Sequence, residues 1–83
     1  MRLIKFEKEM CGKCVAVEGF LEDQGVIGYE KIDVENYSDI DFIAKYVEMS
    51  LPVVVLLDDN GNLIQKSAGF ERSELMEIVE KLN

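Results

Sequence analysis

The chain has no histidine and no tryptophan, only two cysteines, and a single proline, Pro52. Without histidine, triads built on an imidazole base are excluded, and the commonest nitrogen ligand for transition metals is missing. Two cysteines cannot make the multi-bridge framework of a small secreted scaffold. Basic residues are also scarce. Nine Lys and Arg stand against 17 Asp and Glu, a net charge of −8 and a pI near 4.4, so a phosphate backbone would be repelled and no nucleic-acid partner is expected. No apolar run approaches the roughly 20 residues of a membrane-spanning helix. Residues 1–10 carry Arg2, Lys5, Glu7, Lys8 and Glu9 in place of a signal-peptide core. The expected setting is the cytoplasm, away from membranes.

What is present is the composition of a packed globule, 48% hydrophobic and 31% charged over 83 residues, enough for one domain, 1–83. Residues 2–7 read as a strand. Cys14, Val17, Phe20 and Leu21 then form an apolar stripe that predicts a helix over about 12–24, ended by Gly25-Val26-Ile27-Gly28. Residues 29–34 read as a second strand. Ile40, Ile43, Ala44 and Val47 predict a helix over about 38–47 with Ser38 as N-cap. Pro52 opens a run, 53–57, that is apolar on consecutive positions, as in a strand buried on both faces. Asp58-Asp59-Asn60-Gly61 predicts a type I′ hairpin turn, and a calcium loop is disfavoured because its later Gly and closing Glu are missing. A strand at about 62–67 follows, Gly69 breaks it, and Leu75, Ile78, Val79 and Leu82 mark a last helix. The order β-α-β-α-β-β-α implies an α/β fold with a mixed four-stranded sheet flanked by three helices.

The chemistry centres on Cys11-Gly12-Lys13-Cys14, between the first strand and the first helix. A cysteine at a helix N-terminus sees free backbone N–H groups and the positive end of the helix dipole, which favour thiolate over thiol. An exposed dipole contributes about 0.3 to 1 kcal/mol, against roughly 1.4 kcal/mol per pKa unit, so hydrogen bonds and the charge of Lys13 must add to it. Cys14 heads the apolar stripe and is expected to face the sheet, with Cys11 one turn earlier at the mouth. That asymmetry assigns Cys11 as nucleophile and Cys14 as resolving thiol. A metal site would need ligands that only a second chain could supply.

Strand, C-G-x-C at a helix start, Lys31-Ile32-Asp33-Val34, and Lys45-Tyr46 ahead of Leu51-Pro52 together resemble the thioredoxin family in a minimal, glutaredoxin-sized version. The likeness runs on through Asn60-Gly61 and Gly69. It implies a thioredoxin-like fold, a cis bond before Pro52, and a substrate-binding surface formed by Met10, Gly12, Lys13, Leu51, Pro52 and Gly69 beside the cysteines. Met10 and Lys13 stand where thioredoxins carry Trp and Pro. Lys5 stands where they bury an Asp, so the carboxylate base for Cys14 is missing. Ser50-Leu51-Pro52 and Ala68-Gly69 depart from the glutathione-holding pattern of glutaredoxins.

The resemblance implies a thiol-disulfide oxidoreductase that reduces disulfides of protein substrates through the Cys11/Cys14 dithiol. No cofactor or metal is needed, the state expected is a monomer, and electrons come from an NADPH-dependent thioredoxin reductase. A glutathione-dependent glutaredoxin is one alternative, and a non-catalytic binding or metal-carrying module on the same fold is another.

Overall fold

Along the first strand, β1 (Arg2–Glu7), Leu3 and Lys5 point to one side and Ile4 and Phe6 to the other, and all four are buried. The strand is therefore central, covered on both faces. The computed structural model describes residues 1–83 and continues with α1 (Gly12–Asp23), β2 (Glu30–Asp33), α2 (Ile40–Tyr46), β3 (Val53–Leu57), β4 (Leu63–Ala68) and α3 (Arg72–Leu82). Strand order is β2-β1-β3-β4. β1 and β2 run parallel, and the other two pairings are antiparallel. This is the mixed four-stranded sheet with three helices that the sequence predicts.

Alternation along the two central strands divides the core in two. Leu3, Val54 and Leu56 pack with Val17, Phe20 and Leu21 of α1 and Leu75, Ile78 and Val79 of α3. On the opposite face, Ile4, Phe6, Ile32, Val53, Val55 and Leu57 pack with Tyr46 of α2. The last helix buries Leu75, Ile78 and Val79, as its spacing predicts. The first buries Cys14, Val17, Phe20 and Leu21. It ends where Gly25 takes φ 78°: the N–H of Val26 donates to the carbonyl of Leu21 and that of Gly25 to Glu22, each at 2.9 Å, which closes the last carbonyls in a Schellman arrangement.

Three local expectations are corrected. β2 is shorter than 29–34, because pairing with β1 runs only from Ile4↔Glu30 to Glu7↔Asp33. α2 is capped by Asp39 rather than Ser38, since the Asp39 carboxylate accepts from the N–H of Phe42 at 3.0 Å. Its buried side differs in part: Ile43 and Val47 meet the core as the spacing predicts, but Phe42 and Tyr46 join them, while Ala44 is exposed and Ile40 is 71% exposed. The rings of Phe6, Phe42 and Tyr46 lie 5.4 to 6.0 Å apart, and this aromatic packing brings Phe42 and Tyr46 into the buried side of the short helix.

The hairpin turn is not type I′. That turn needs positive φ at both central residues, whereas Gly61 has φ 85° and Asn60 is not in the left-handed region. The Asp58 carboxylate accepts from the N–H groups of Asn60 at 2.8 Å and Asn62 at 2.9 Å, and the Asp58 carbonyl accepts from Gly61 at 3.0 Å. An aspartate held by its own turn selects a right-handed bend followed by one left-handed glycine, and the ladder shifts register between Leu56 and Leu57.

Two predictions follow from the packing and the turn. Ile78→Ala should cost about 2 to 5 kcal/mol in urea unfolding, as a fully buried aliphatic does, while Ile40→Ala should change stability by less than about 0.5 kcal/mol. Backbone hydrogen bonds hold the Asp58 carboxyl below the ordinary aspartate value. A carboxyl depressed in the folded state stabilises fully above its unfolded pKa, and that contribution is lost as pH falls through the folded one. Asp58→Asn should therefore lower Tm near about pH 7 and match wild type near about pH 2, read by thermal melts across pH.

Candidate active site

Chain direction brings the critical segments to one end of the sheet. β1 and β2 leave there, since Glu7 lies opposite Asp33. β3 enters there, since Phe6 lies opposite Val53. β4 leaves there, since Val53 lies opposite Ala68. The loop carrying residues 8–11, the Leu51–Pro52 step and Gly69 are thus neighbours by topology. The Gly69 N–H donates to the Pro52 carbonyl at 2.8 Å, joining two of the expected site residues directly, and Gly69 takes φ 77°, which its missing Cβ permits. The Leu51–Pro52 bond is cis, and Pro52 is buried.

Cys11 is the N-cap of α1, and the Cys14 N–H donates to Cys11 Sγ at 3.2 Å. That is the bond an N-cap Ser or Asp makes to the third helical N–H, with sulfur in place of oxygen. The first turn carries no acidic residue, so no carboxylate of that turn opposes negative charge on Cys11. The two sulfurs form a disulfide. Cys11 is half-buried, whereas Cys14 is 3% exposed and opens the buried stripe of the helix. Gly12 and Lys13 are exposed on the first turn, and Met10 projects fully into solvent. Met10 has φ 55°, a left-handed conformation that costs a non-glycine residue roughly 1 to 2 kcal/mol and that reverses the chain from β1 into the cap. Nothing in the residue type signals that bend.

Beneath α1, the structure gathers a charged cluster that the sequence reading did not assemble. Lys5 is 1% exposed and pairs with Glu7 at 2.7 Å. Lys31 pairs with Glu18. The hydrogen bond and charge of Lys31 hold the Glu18 carboxyl below the ordinary glutamate value, with the charge of Lys5 acting in the same direction. Burial pushes the Tyr29 phenol up, and its hydroxyl has no hydrogen-bond partner. Alternation within β1 could have signalled that Lys5 points inward; its pairing with Glu7, two residues on, could not be read from spacing alone.

A groove of about 330 Å³ lies on the α2 side of the same end, lined by Tyr46, Glu48, Met49, Ser50, Val53 and Lys66 among others. The cysteines do not line it. Lys66, one of its lining residues, donates to the Tyr46 carbonyl at 3.1 Å.

A four-stranded mixed sheet with a C-x-x-C pair capping the helix after β1 defines a thioredoxin-like redox protein. Residues 3–62 match the glutaredoxin family, and the chain belongs to it. It is 38% identical over 82 residues to the SPbeta prophage-derived thioredoxin-like protein YosR of Bacillus subtilis, covering 99% of each chain. In fold it is similar to the thioredoxin of Plasmodium falciparum, with a TM-score of 0.74 and 22% identity over 99% of this chain and 85% of that one. It is also similar to the glutaredoxin-like protein NrdH-redoxin from Escherichia coli, with a TM-score of 0.68 and 22% identity over 100% and 96%. Family and cysteine pair together make it a thiol-disulfide oxidoreductase.

The difference in burial yields a labelling prediction. In the reduced protein, brief iodoacetamide treatment near neutral pH should modify Cys11 well ahead of Cys14, as read by peptide mapping. Preferential labelling of Cys14 would reverse the roles assigned to the two sulfurs.

Proposed function

We propose that this protein reduces disulfides of protein substrates in the cytoplasm as a monomer, using the Cys11/Cys14 dithiol with no prosthetic group, and is itself reduced by an NADPH-dependent thioredoxin reductase. The observation that carries this reading is the asymmetry at the head of α1: a half-buried sulfur in the N-cap position and a buried sulfur one turn later.

In the reduced protein, the Cys11 thiolate is stabilised by the Cys14 N–H and the helix dipole. It attacks one sulfur of a substrate disulfide, forming a Cys11–substrate bond and releasing the other substrate sulfur as a thiolate. Cys14 then loses its proton and attacks Cys11 Sγ. The Cys11–substrate bond breaks, its electron pair leaves with the substrate sulfur, and that thiolate takes a proton from solvent. Two electrons have passed to the substrate, and the Cys11–Cys14 disulfide remains. Met10, Gly12 and Lys13 on one side, and Leu51, Pro52 and Gly69 on the other, are the surface against which the substrate segment lies.

The thioredoxin-like activity profile of NrdH-redoxin, a protein of nearly the same extent, supports a reductase as donor. So does the absence of the usual glutathione-holding residues around Ser50 and Ala68. The match to the glutaredoxin family favours a second reading, in which glutathione is the donor. Supplying the oxidised protein with NADPH and thioredoxin reductase, or with reduced glutathione, separates the two. Disulfide reduction through the reductase and not through glutathione is expected; turnover with glutathione alone would establish the second reading. Cys11→Ser should abolish reduction of a protein disulfide, and Cys14→Ser should leave a covalent mixed disulfide that runs as a larger species on a non-reducing gel.

A further inference from the structure

We propose that Lys5 is a positioning residue for Cys14: its buried ammonium, steered by Glu7, stabilises the thiolate that Cys14 must form to resolve the mixed disulfide. This rests on the reading of Cys14 as the resolving thiol.

Strand direction and helix packing place the two residues together. Leu3 packs against Val17, Phe20 and Leu21 of α1. Lys5 is on the same face two residues further on, about 6.5 to 7 Å along the strand, and its cross-strand partners are Lys31 and Val54. The chain reverses after β1, so α1 runs back over the strand, and moving from Leu3 to Lys5 means moving toward the N-terminus of α1. One turn before Val17 and Glu18 on that helix is Cys14. Glu18 and Cys14 are four residues apart and share a helix face, and the charge of Lys5 reaches Glu18. Lys5 therefore lies under the first two turns of α1, where the Cys14 sulfur is buried.

The surrounding charges are distributed so that this ammonium is the one at hand. From β1 come Lys5 and Glu7, joined at 2.7 Å. From α1 and β2 come Glu18 and Lys31, which neutralise each other. Lys13 is on the exposed first turn, Lys8 and Glu9 are in the exposed loop before it, and across the sheet Glu74 accepts from the Ser67 hydroxyl at 3.0 Å. Glu7 is 26% exposed, so it anchors Lys5 from the rim while water shares its charge. A buried ammonium with a partly hydrated counter-ion keeps a net positive field inward, where a thiolate gains most from it. In the resolving step the Cys14 proton leaves to water, the Cys14–Cys11 bond forms, and the Cys11–substrate bond breaks with its electrons on the substrate sulfur.

The test uses Cys11→Ser, which leaves Cys14 as the sole thiol beside a neutral partner, as in the mixed disulfide. Its ionisation is followed by ultraviolet thiolate absorbance against pH. Adding Lys5→Met should raise the midpoint by about one pH unit or more, a tenfold loss of thiolate at a fixed pH below it, and Lys5→Arg should restore it. An unmoved midpoint in folded Lys5→Met protein would overturn the proposal. If circular dichroism shows that Lys5→Met does not fold, Glu7→Gln decides: removal of the counter-charge should lower the midpoint, and no movement overturns the proposal. Because the midpoint is read without any substrate, it is independent of the proposed function, which is tested by disulfide reduction with the wild-type protein.

Discussion

The antiparallel ladder between β1 and β3, from Arg2↔Leu57 to Phe6↔Val53, is the constraint on which the rest depends. It fixes which residues of the two central strands share a face, and so which helix each side chain meets. It also sets the start of β3 against the exit of β1. A one-residue slip would carry every side chain of β3 to the other face, exchanging Val54 and Leu56 for Val53, Val55 and Leu57 beneath α1 and α3. The same slip would displace Pro52, and with it the Gly69 N–H bonded to its carbonyl. The site is thus a consequence of strand register before it is a consequence of any individual residue in it.

With β1 covered on both faces, its one inward charge needs a partner. Removing an ammonium from water costs several kcal/mol even after relaxation, and in this chain the cost is offset by a carboxylate two residues away on the same strand face. The arrangement has the opposite polarity to the buried aspartate of thioredoxins, which this fold resembles. Such a charge in a dry location acts over longer range than a surface one. In an acidic chain, with 17 carboxylates against nine basic groups, the one fully buried charged side chain is a cation, Lys5, held by Glu7.

The two sulfurs acquire different environments from a single helix start. Being the N-cap gives Cys11 a backbone donor, the dipole and partial access to solvent, whereas three residues of helical rise turn Cys14 into the core. No separate structural device is needed for this difference. It follows from the spacing of two intervening residues combined with the 3.6-residue period of the helix, and no carboxylate of the first turn opposes it.

The amino-acid order alone sets the elements whose apolar period is unambiguous. α1 and α3, the doubly buried β3 and the location of the cysteine pair at a helix start were all legible, because periodicity reports a buried face directly. It determined the face of α2 only in part: Ile43 and Val47 meet the core as spaced, but Phe42 and Tyr46, packed on the Phe6 ring, are buried where the spacing predicts Ile40 and Ala44. It did not determine the hairpin geometry, where the Asp58 side chain competes with the propensity of Asn-Gly. The left-handed bend at Met10, the bond from Gly69 to Pro52 and the charged cluster of Lys5, Glu7, Glu18 and Lys31 were decided only by tertiary structure. The bond and the cluster join segments through strand pairing or helix docking, contacts that leave no period in the chain, and the residue type at Met10 does not mark its bend: Lys5 is the inward residue of a strand in either description, but what it faces depends on α1 folding back above it.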